Sequence, residues 1–204
     1  MAVPCGVCGR EYDVALFAFG RTIHCTCGAR VGVEPRRRRA GEPGRAPRLA
    51  ADAMLGRLAR WLRLLGFDVF WQAAIDDAEL VRRAIEQERV LLTRDRGLAE
   101  AFRVSDLLVL RAEQPEAQLR EVCAALDLER HFRPFTRCSL CNRQLVEVSP
   151  DSLNGEVPER ILREQSHFRR CTGCGRVYWR GSHTDRLLER VARALERPGG
   201  PARR

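Results

Sequence analysis

Four close pairs of cysteine constrain this chain more than any other feature of its sequence. Cys5 and Cys8, Cys25 and Cys27, Cys138 and Cys141, and Cys171 and Cys174 take up all but one of the nine cysteines, and Cys123 stands apart. Disulfides rarely join residues so close in sequence, and nothing at the N-terminus reads as a secretory signal. Zinc takes four thiolates in a tetrahedron, which two short knuckles facing each other supply. Cys138-Ser-Leu-Cys141-Asn142 and Cys171-Thr-Gly-Cys174-Gly175 give C-x-x-C twice, with a long insert between them. Cys5-Gly-Val-Cys8-Gly9 is followed by the tighter Cys25-Thr-Cys27-Gly28, where His24 stands as an alternative to one sulfur. Glycine after a knuckle lets the backbone turn sharply. Both quartets are expected to hold zinc structurally, because four thiolates leave no open coordination position. Cys123 lies in a helical stretch and is expected to be a small core residue.

Between the cysteine sets the pattern alternates strand and helix. Strands are expected at Leu49–Ala51, Phe67–Trp71, Arg89–Thr93 and Leu107–Leu110. Helices are expected over 53–65, 76–88, from Gly97 to about Phe102, and from Pro115 to about Leu126. Met54, Leu55, Leu58, Leu62 and Leu65 recur at helical spacing, Gly66 stops that helix, and Arg57, Arg60 and Arg63 fall on a different face. Asp76 and Glu79 resemble a capping box. The alternation implies an α/β fold with a parallel sheet and helices on both faces. The chain therefore divides into a zinc ribbon at 1–34, an Arg/Pro linker at 35–47, an α/β domain at 48–130, a second zinc ribbon at 134–186, and a basic helix and tail at 187–204. The stretch 150–166 has no strong period and reads as an irregular finger; the tail from Arg197 reads as disordered.

The chain carries a formal charge of +9, and all 36 of its basic residues are arginine. Arginine in place of lysine is also what a GC-rich genome gives. The excess over acid is not explained that way, and the guanidinium fork matches phosphate oxygens, so nucleic acid is an expected partner. No apolar run approaches the roughly 18 residues of a membrane span. The cytoplasm is the expected compartment.

Acidic residues recur at one architectural place. Asp52 follows the first strand of the alternating region, Asp76 and Asp77 come a few residues after the second, and Asp95 follows the third. The carboxyl ends of parallel strands line one edge, where ligands bind. Clustered carboxylates repel unless a cation neutralises them, and hard oxygen donors suit Mg²⁺ or Mn²⁺. Such an ion can polarise a phosphodiester and activate water. Each acid also has an ordinary reading: Asp52 and Asp76 as helix N-caps, Asp95 as a turn residue ahead of Gly97. Arg94 could hold a phosphate or pair with an acid.

Specific strings then narrow the field. They are the run from Ala51 to Asp68, ADAMLGRLARWLRLLGFD; Arg89-Val-Leu-Leu-Thr-Arg-Asp95; Phe135-Thr-Arg-Cys138-Ser-Leu-Cys141-Asn142; and the run from Cys171 to His183, CTGCGRVYWRGSH. Together they resemble the PIN-like ribonuclease domain of the Mut-seven C-terminal family with its attached zinc ribbon, over about residues 48–186. The resemblance implies a PIN-like fold and a metal-dependent ribonuclease. It carries over Asp52, Asp77 (or its neighbour Asp76) and Asp95 as metal-binding acids. A fourth acid near the fourth strand has only Glu113 and Asp106 as candidates. Arg57, Arg60 and Arg94 are candidate phosphate contacts. Trp179 reads as packing against the ribbon or the PIN-like domain, and His183 as a surface histidine or a phosphate contact. The N-terminal zinc module lies outside the resemblance. The rival readings are a non-catalytic RNA- or ribosome-binding protein, in which the acids cap helices, and an assembly module whose ribbons contact protein. A toxin-type nuclease is disfavoured by the added zinc modules.

Overall fold

A computed structural model describes residues 2–33, 44–153 and 155–195. Most of the 35–47 linker and the whole tail from Arg197 lie outside the described residues. In chain order, β1 (Ala2–Pro4), β2 (Glu11–Asp13), β3 (Ile23–His24) and β4 (Arg30–Val31) come first. Then follow β5 (Leu49–Ala51), α1 (Gly56–Leu64), β6 (Val69–Trp71), α2 (Asp77–Glu86), β7 (Val90–Thr93), α3 (Arg96–Ala101), β8 (Leu107–Val109) and α4 (Pro115–Leu126). The last are β9 (Leu145–Val148), α5 (Glu159–Glu164), β10 (Phe168–Cys171), β11 (Val177–Trp179) and α6 (Ser182–Leu195). The chain falls into two compact units, Met1–Gly56 with Val69–Arg111, and Arg57–Asp68 with Ala112–Arg204.

The first unit is built on a four-stranded parallel sheet flanked by helices, in the order β6-β5-β7-β8. Strands covered on both faces read as unbroken apolar runs. Here Leu49-Ala-Ala51 and Val90-Leu-Leu-Thr93 are buried at every position. Leu80, Val81 and Ala84 of α2 and Leu98 of α3 pack with Ala50, Leu91 and Phe102. The chain leaves β5 to one side for β6 and then crosses to the other side for β7. That reversal is a topological switch point, and the crevice outside the strand carboxyl ends there is where open α/β sheets take ligands.

The N-terminal module joins this unit through the end of α3. The last carbonyls of a helix have no partner within it. Here Thr22 N–H donates to Ala101 O at 2.7 Å, the Thr22 hydroxyl to Glu100 O at 2.8 Å, and Arg30 Nη2 to Ala99 O at 3.3 Å. Arg103 N–H donates back to Gly20 O at 2.6 Å. Gly20 has φ +77°, and a Cβ there would run into the Arg103 carbonyl. The module thus satisfies the end of α3 with its own side chains and backbone.

In the second unit, Gly66 (φ +100°) ends α1: Gly66 N–H bonds Arg63 O at 2.9 Å and Phe67 N–H bonds Leu62 O at 3.0 Å, a Schellman closure. Phe67 is then buried against Phe132, which delays the next strand to Val69. An antiparallel sheet, β11-β10-β9, packs Phe168 with Leu153 and Val157, and Trp179 joins that cluster. The stretch expected as an irregular finger over 150–166 holds short regular elements among its described residues, a 3₁₀ turn at Pro150–Leu153 and the short α5, which an Arg160–Glu164 pair bridges at 2.6 Å. Among the described residues no helix is long and apolar enough to cross a membrane.

Candidate functional site

The sheet register brings together acids that lie far apart in sequence. Ala51 pairs with Leu92, so Asp52 emerges from β5 opposite Thr93, and Asp52 N–H continues the ladder to Leu92 O at 3.0 Å. Asp52 is buried, at 6% exposure. It precedes a 3₁₀ turn at Ala53–Leu55, but its side chain caps nothing. Instead it accepts the hydroxyl proton of the fully buried Thr93. The same Thr93 oxygen accepts the Asp95 N–H at 2.9 Å. In the sequence Thr93 is marked only as a hydroxyl at the close of an otherwise apolar run.

The other acids divide by role. Asp95 caps α3 by accepting Gly97 N–H at 2.7 Å. Asp76 caps α2 by accepting Glu79 N–H at 3.0 Å. The capping box is only half formed, since Glu79 turns to Arg82 and Arg83, at 2.7 and 2.6 Å, rather than back to Asp76. Asp77, in the first turn of α2, caps nothing. Its carboxyl is raised above the ordinary range by burial first, and then by the charges of Asp52, Asp95 and Asp76. The four acids are therefore one electrostatic cluster, although they are not drawn as close as the thiols described below. Asp106 precedes β8 and sits at the opposite end of the sheet from Thr93, because β8 runs parallel to β7. Glu113 follows β8 in the chain and belongs to the second unit.

The arginine face of α1 is not uniform. Arg57 and Arg60 are exposed, whereas Arg63 is buried and donates to the knuckle carbonyls Leu140 O at 2.6 Å and Ser139 O at 3.3 Å. Arg94 is half-buried directly after Thr93.

Each cysteine quartet converges, with all four sulfurs within 4.8 Å of one another. Cys5 and Cys27 are 3.7 Å apart and Cys8 and Cys25 3.4 Å; Cys138 and Cys174 are 3.7 Å apart and Cys141 and Cys171 3.3 Å. Zinc–sulfur bonds of about 2.3 Å set tetrahedral edges of about 3.8 Å, so both sets fit one ion. His24 is exposed on β3 and stays outside its quartet. Three knuckles end on a glycine with positive φ (Gly9, Gly28 and Gly175), and Asn142 fills the fourth such position at φ +68°. Asparagine tolerates that region better than other L-residues. Cys123 is buried in α4, and burial pushes its thiol up to about 12.

The two modules also share a motif that cysteine spacing alone did not expose. Cys5-x-x-Cys8-Gly-Arg-Glu-Tyr12 and Cys171-x-x-Cys174-Gly-Arg-Val-Tyr178 are the same pattern. Their backbones match: Cys5 N–H to Arg10 O at 2.8 Å, and Cys171 N–H to Arg176 O at 2.9 Å. The tyrosine reaches across to the opposite knuckle. Tyr178 OH lies 3.0 Å from Cys138 Sγ. The Tyr12 hydroxyl is buried without a partner at full hydrogen-bond geometry, and the Cys25 thiol beside it is the main influence raising its pKa. The Cys25 thiol in turn is lowered to about 5, first by the Cys27 backbone and then by Tyr12. For Cys138, burial acts upward, yet the Cys141 amide and Tyr178 outweigh it and hold the thiol at about 6. Within each module the thiols are driven apart: Cys25 and Cys138 toward the thiolate that a metal takes, Cys27 and Cys141 up to about 12.

No curated protein and no solved structure matches the chain. The family model of the Mut7-C RNAse domain matches residues 47–191. That span contains the parallel sheet, its aspartates and the second cysteine quartet, and leaves out the first quartet. It covers most of the sequence, as the resemblance in the motifs leads one to expect, and the chain belongs to the Mut7-C RNAse domain family.

Proposed function

We propose that this ribonuclease-family chain hydrolyses RNA phosphodiester bonds at the aspartate edge of its parallel sheet. Asp52, Asp77 and Asp95, with Asp76 beside them, would hold Mg²⁺ or Mn²⁺, and each cysteine quartet would hold zinc. The observation that carries this reading is Asp52. Its carboxylate is 6% exposed, accepts one hydroxyl, and pairs with no cation among the described residues. A buried carboxylate among other carboxylates is costly unless a cation or a proton neutralises it. An all-oxygen donor set suits a hard divalent ion. Bound there, the ion would polarise the phosphodiester, lower the pKa of a water and stabilise the leaving oxygen.

The chain's own residues supply orientation. Thr93 fixes the Asp52 carboxylate and, through the Asp95 amide, the start of α3. Asp77 is free of hydrogen bonds and ion pairs with described residues, so its carboxylate can turn toward a ligand. Arg57, Arg60 and Arg94 are proposed to contact phosphate, in keeping with the net charge of +9. We assign the chemistry to the PIN-like stretch 48–130 and RNA handling to the ribbons at 1–34 and 134–186. Thiolate sites of this kind need a reducing compartment, which favours the cytoplasm.

One observation favours a non-catalytic RNA-binding reading: Asp76 and Asp95 each cap a helix. Cleavage of a labelled single-stranded RNA with added Mn²⁺ or Mg²⁺, beside Asp95→Asn, separates the two. Asparagine caps a helix as well as aspartate. The variant should therefore fold, keep its zinc and lose cleavage. RNA binding by the parent without metal-dependent cleavage would establish the non-catalytic reading. Equal cleavage by both would remove Asp95 from the site.

A further inference from the structure

Within the second unit a cavity of about 430 Å³ opens on the C-terminal ribbon. Phe135, Tyr178 and Trp179 line it, together with His167, Arg169 and Arg180. The geometry points to a subsite for one unpaired nucleotide of single-stranded RNA, its base on the aromatic rings and its phosphate at the Arg169, Arg180 and His167 side chains. This inference rests on the reading of the chain as a ribonuclease and adds a place where the substrate strand is gripped.

Size and composition agree. Small-ligand sites span roughly 300–1,000 Å³, and single strands are held by aromatic rings beside cationic side chains. Among the described residues Asp185 is the one acid lining the cavity, and it is already paired with Arg180 at 3.0 Å. His167 is exposed and has no hydrogen bond or ion pair with a described residue. Arg169 is likewise paired, with Glu147 at 3.0 Å, so what the lining offers a phosphate is the unshared N–H groups of two guanidiniums. Gln165 and Ser166 add the neutral donors and acceptors that a base edge can use.

The aromatic rings are set in place by the fold. Phe135 has φ +60°, an unfavourable region for an aromatic residue that persists only where its surroundings enforce it. Its N–H donates to Leu64 O at 3.0 Å, and its carbonyl accepts from the Arg169 guanidinium. Arg169 thus holds Phe135 and lines the same cavity. Trp179 packs on Phe168 with ring centroids 6.3 Å apart. Gly181 lets the chain pass that ring, since a Cβ there would lie 3.1 Å from Trp179 Nε1. Rings fixed in advance bind with less ordering penalty. An acidic peptide would use the cations and leave the three rings unexplained.

The test uses the full chain with zinc bound, carrying Asp95→Asn so that RNA survives. A single-stranded RNA substituted with 4-thiouridine is crosslinked by light and the adducts are mapped by mass spectrometry. Adducts should fall on Phe135 or within residues 165–180. By fluorescence anisotropy, His167→Glu should weaken RNA binding roughly tenfold with zinc content unchanged, and His167→Arg should preserve it. Adducts confined elsewhere, with His167→Glu binding as tightly as its parent, would overturn the subsite. The same result follows if polyglutamate protects the cavity from modification while RNA does not. Cleavage by the chain with intact aspartates is read in parallel. Cleavage without any effect at the cavity removes the subsite and leaves the nuclease. Adducts in the cavity without cleavage remove the nuclease and leave the subsite.

Discussion

Thr93 donates its hydroxyl proton to the buried carboxylate of Asp52. Because its oxygen also accepts the Asp95 amide, one side chain ties two strand ends together. Thr93→Val keeps the shape and removes both bonds. Leaving a buried carboxylate and an amide unsatisfied costs about 1–3 kcal/mol, seen as a lower midpoint in chemical denaturation. RNA cleavage should fall more than tenfold, while Thr93→Ser, which keeps the hydroxyl, stays near the parent. Equal behaviour of the Val and Ser variants would show that the hydroxyl positions nothing.

Asp77 gives the opposite pairing of effects. Its carboxyl is raised by burial and by the charges of Asp52, Asp95 and Asp76, so neutralising it relieves repulsion in the folded state. Asp77 is exposed, so solvent screens that repulsion, and Asp77→Asn should be slightly more stable than the parent without added divalent ion, and lose cleavage. Added Mn²⁺ should stabilise the parent more than the variant, because only the parent offers the full donor set. A variant that is less stable and fully active would place Asp77 outside the site.

How far the sequence carried this picture depends on the range of each interaction. Leu49-Ala-Ala51 and Val90-Leu-Leu-Thr93 were legible as strands because burial on both faces demands unbroken apolar runs. The quartets were legible because a four-thiolate site demands close cysteine pairs in the chain. The Thr93–Asp52 bond was not, since only strand register brings two residues so distant in sequence together. Arg63 was hidden for a related reason: it shares α1 with the exposed Arg57 and Arg60, and only the folded knuckle shows its carbonyls accepting a guanidinium. Helix α5 has no buried residue, so it left no periodicity to read. Tyr12 and Tyr178 were legible in principle through the repeated C-x-x-C-G-R-x-Y, which becomes visible once the modules are compared rather than read singly.

Tyr178 makes a prediction about the metal. Its hydroxyl lies 3.0 Å from Cys138 Sγ and 3.4 Å from Ser139 Oγ, and partners of this kind around a ligand typically change metal affinity by roughly 10–100-fold. Tyr178→Phe should bind two zinc ions per chain when freshly loaded. It should then release one of them to a chromophoric chelator roughly tenfold faster than the parent, with the other unchanged. Release of both ions at the parent's rates would reduce the tyrosine to packing.

Glu116 and Arg190 join α4 to α6, and this pair fixes a pH dependence. The Arg190 guanidinium, with Arg57 of α1 as a further positive charge, holds the Glu116 carboxyl below the usual range. A group whose pKa is depressed by folding contributes stability above its unfolded pKa, about 4.3, and loses it as pH falls through the folded value. The side chains are 34% and 50% exposed, so solvent screens the pair and its worth is about 0.5 kcal/mol. Arg190 also lies over the Trp61 ring at 5.6 Å, a contact that Glu116→Gln leaves in place. The stability difference between parent and Glu116→Gln should be about 0.5 kcal/mol near neutral pH and shrink toward zero below about pH 4. Zinc loss in acid affects both chains alike and cancels in that difference. Added salt near neutral pH should shrink it as well. A difference that stays constant from neutral to acid would mean that the variant acts through packing, with the ion pair contributing nothing.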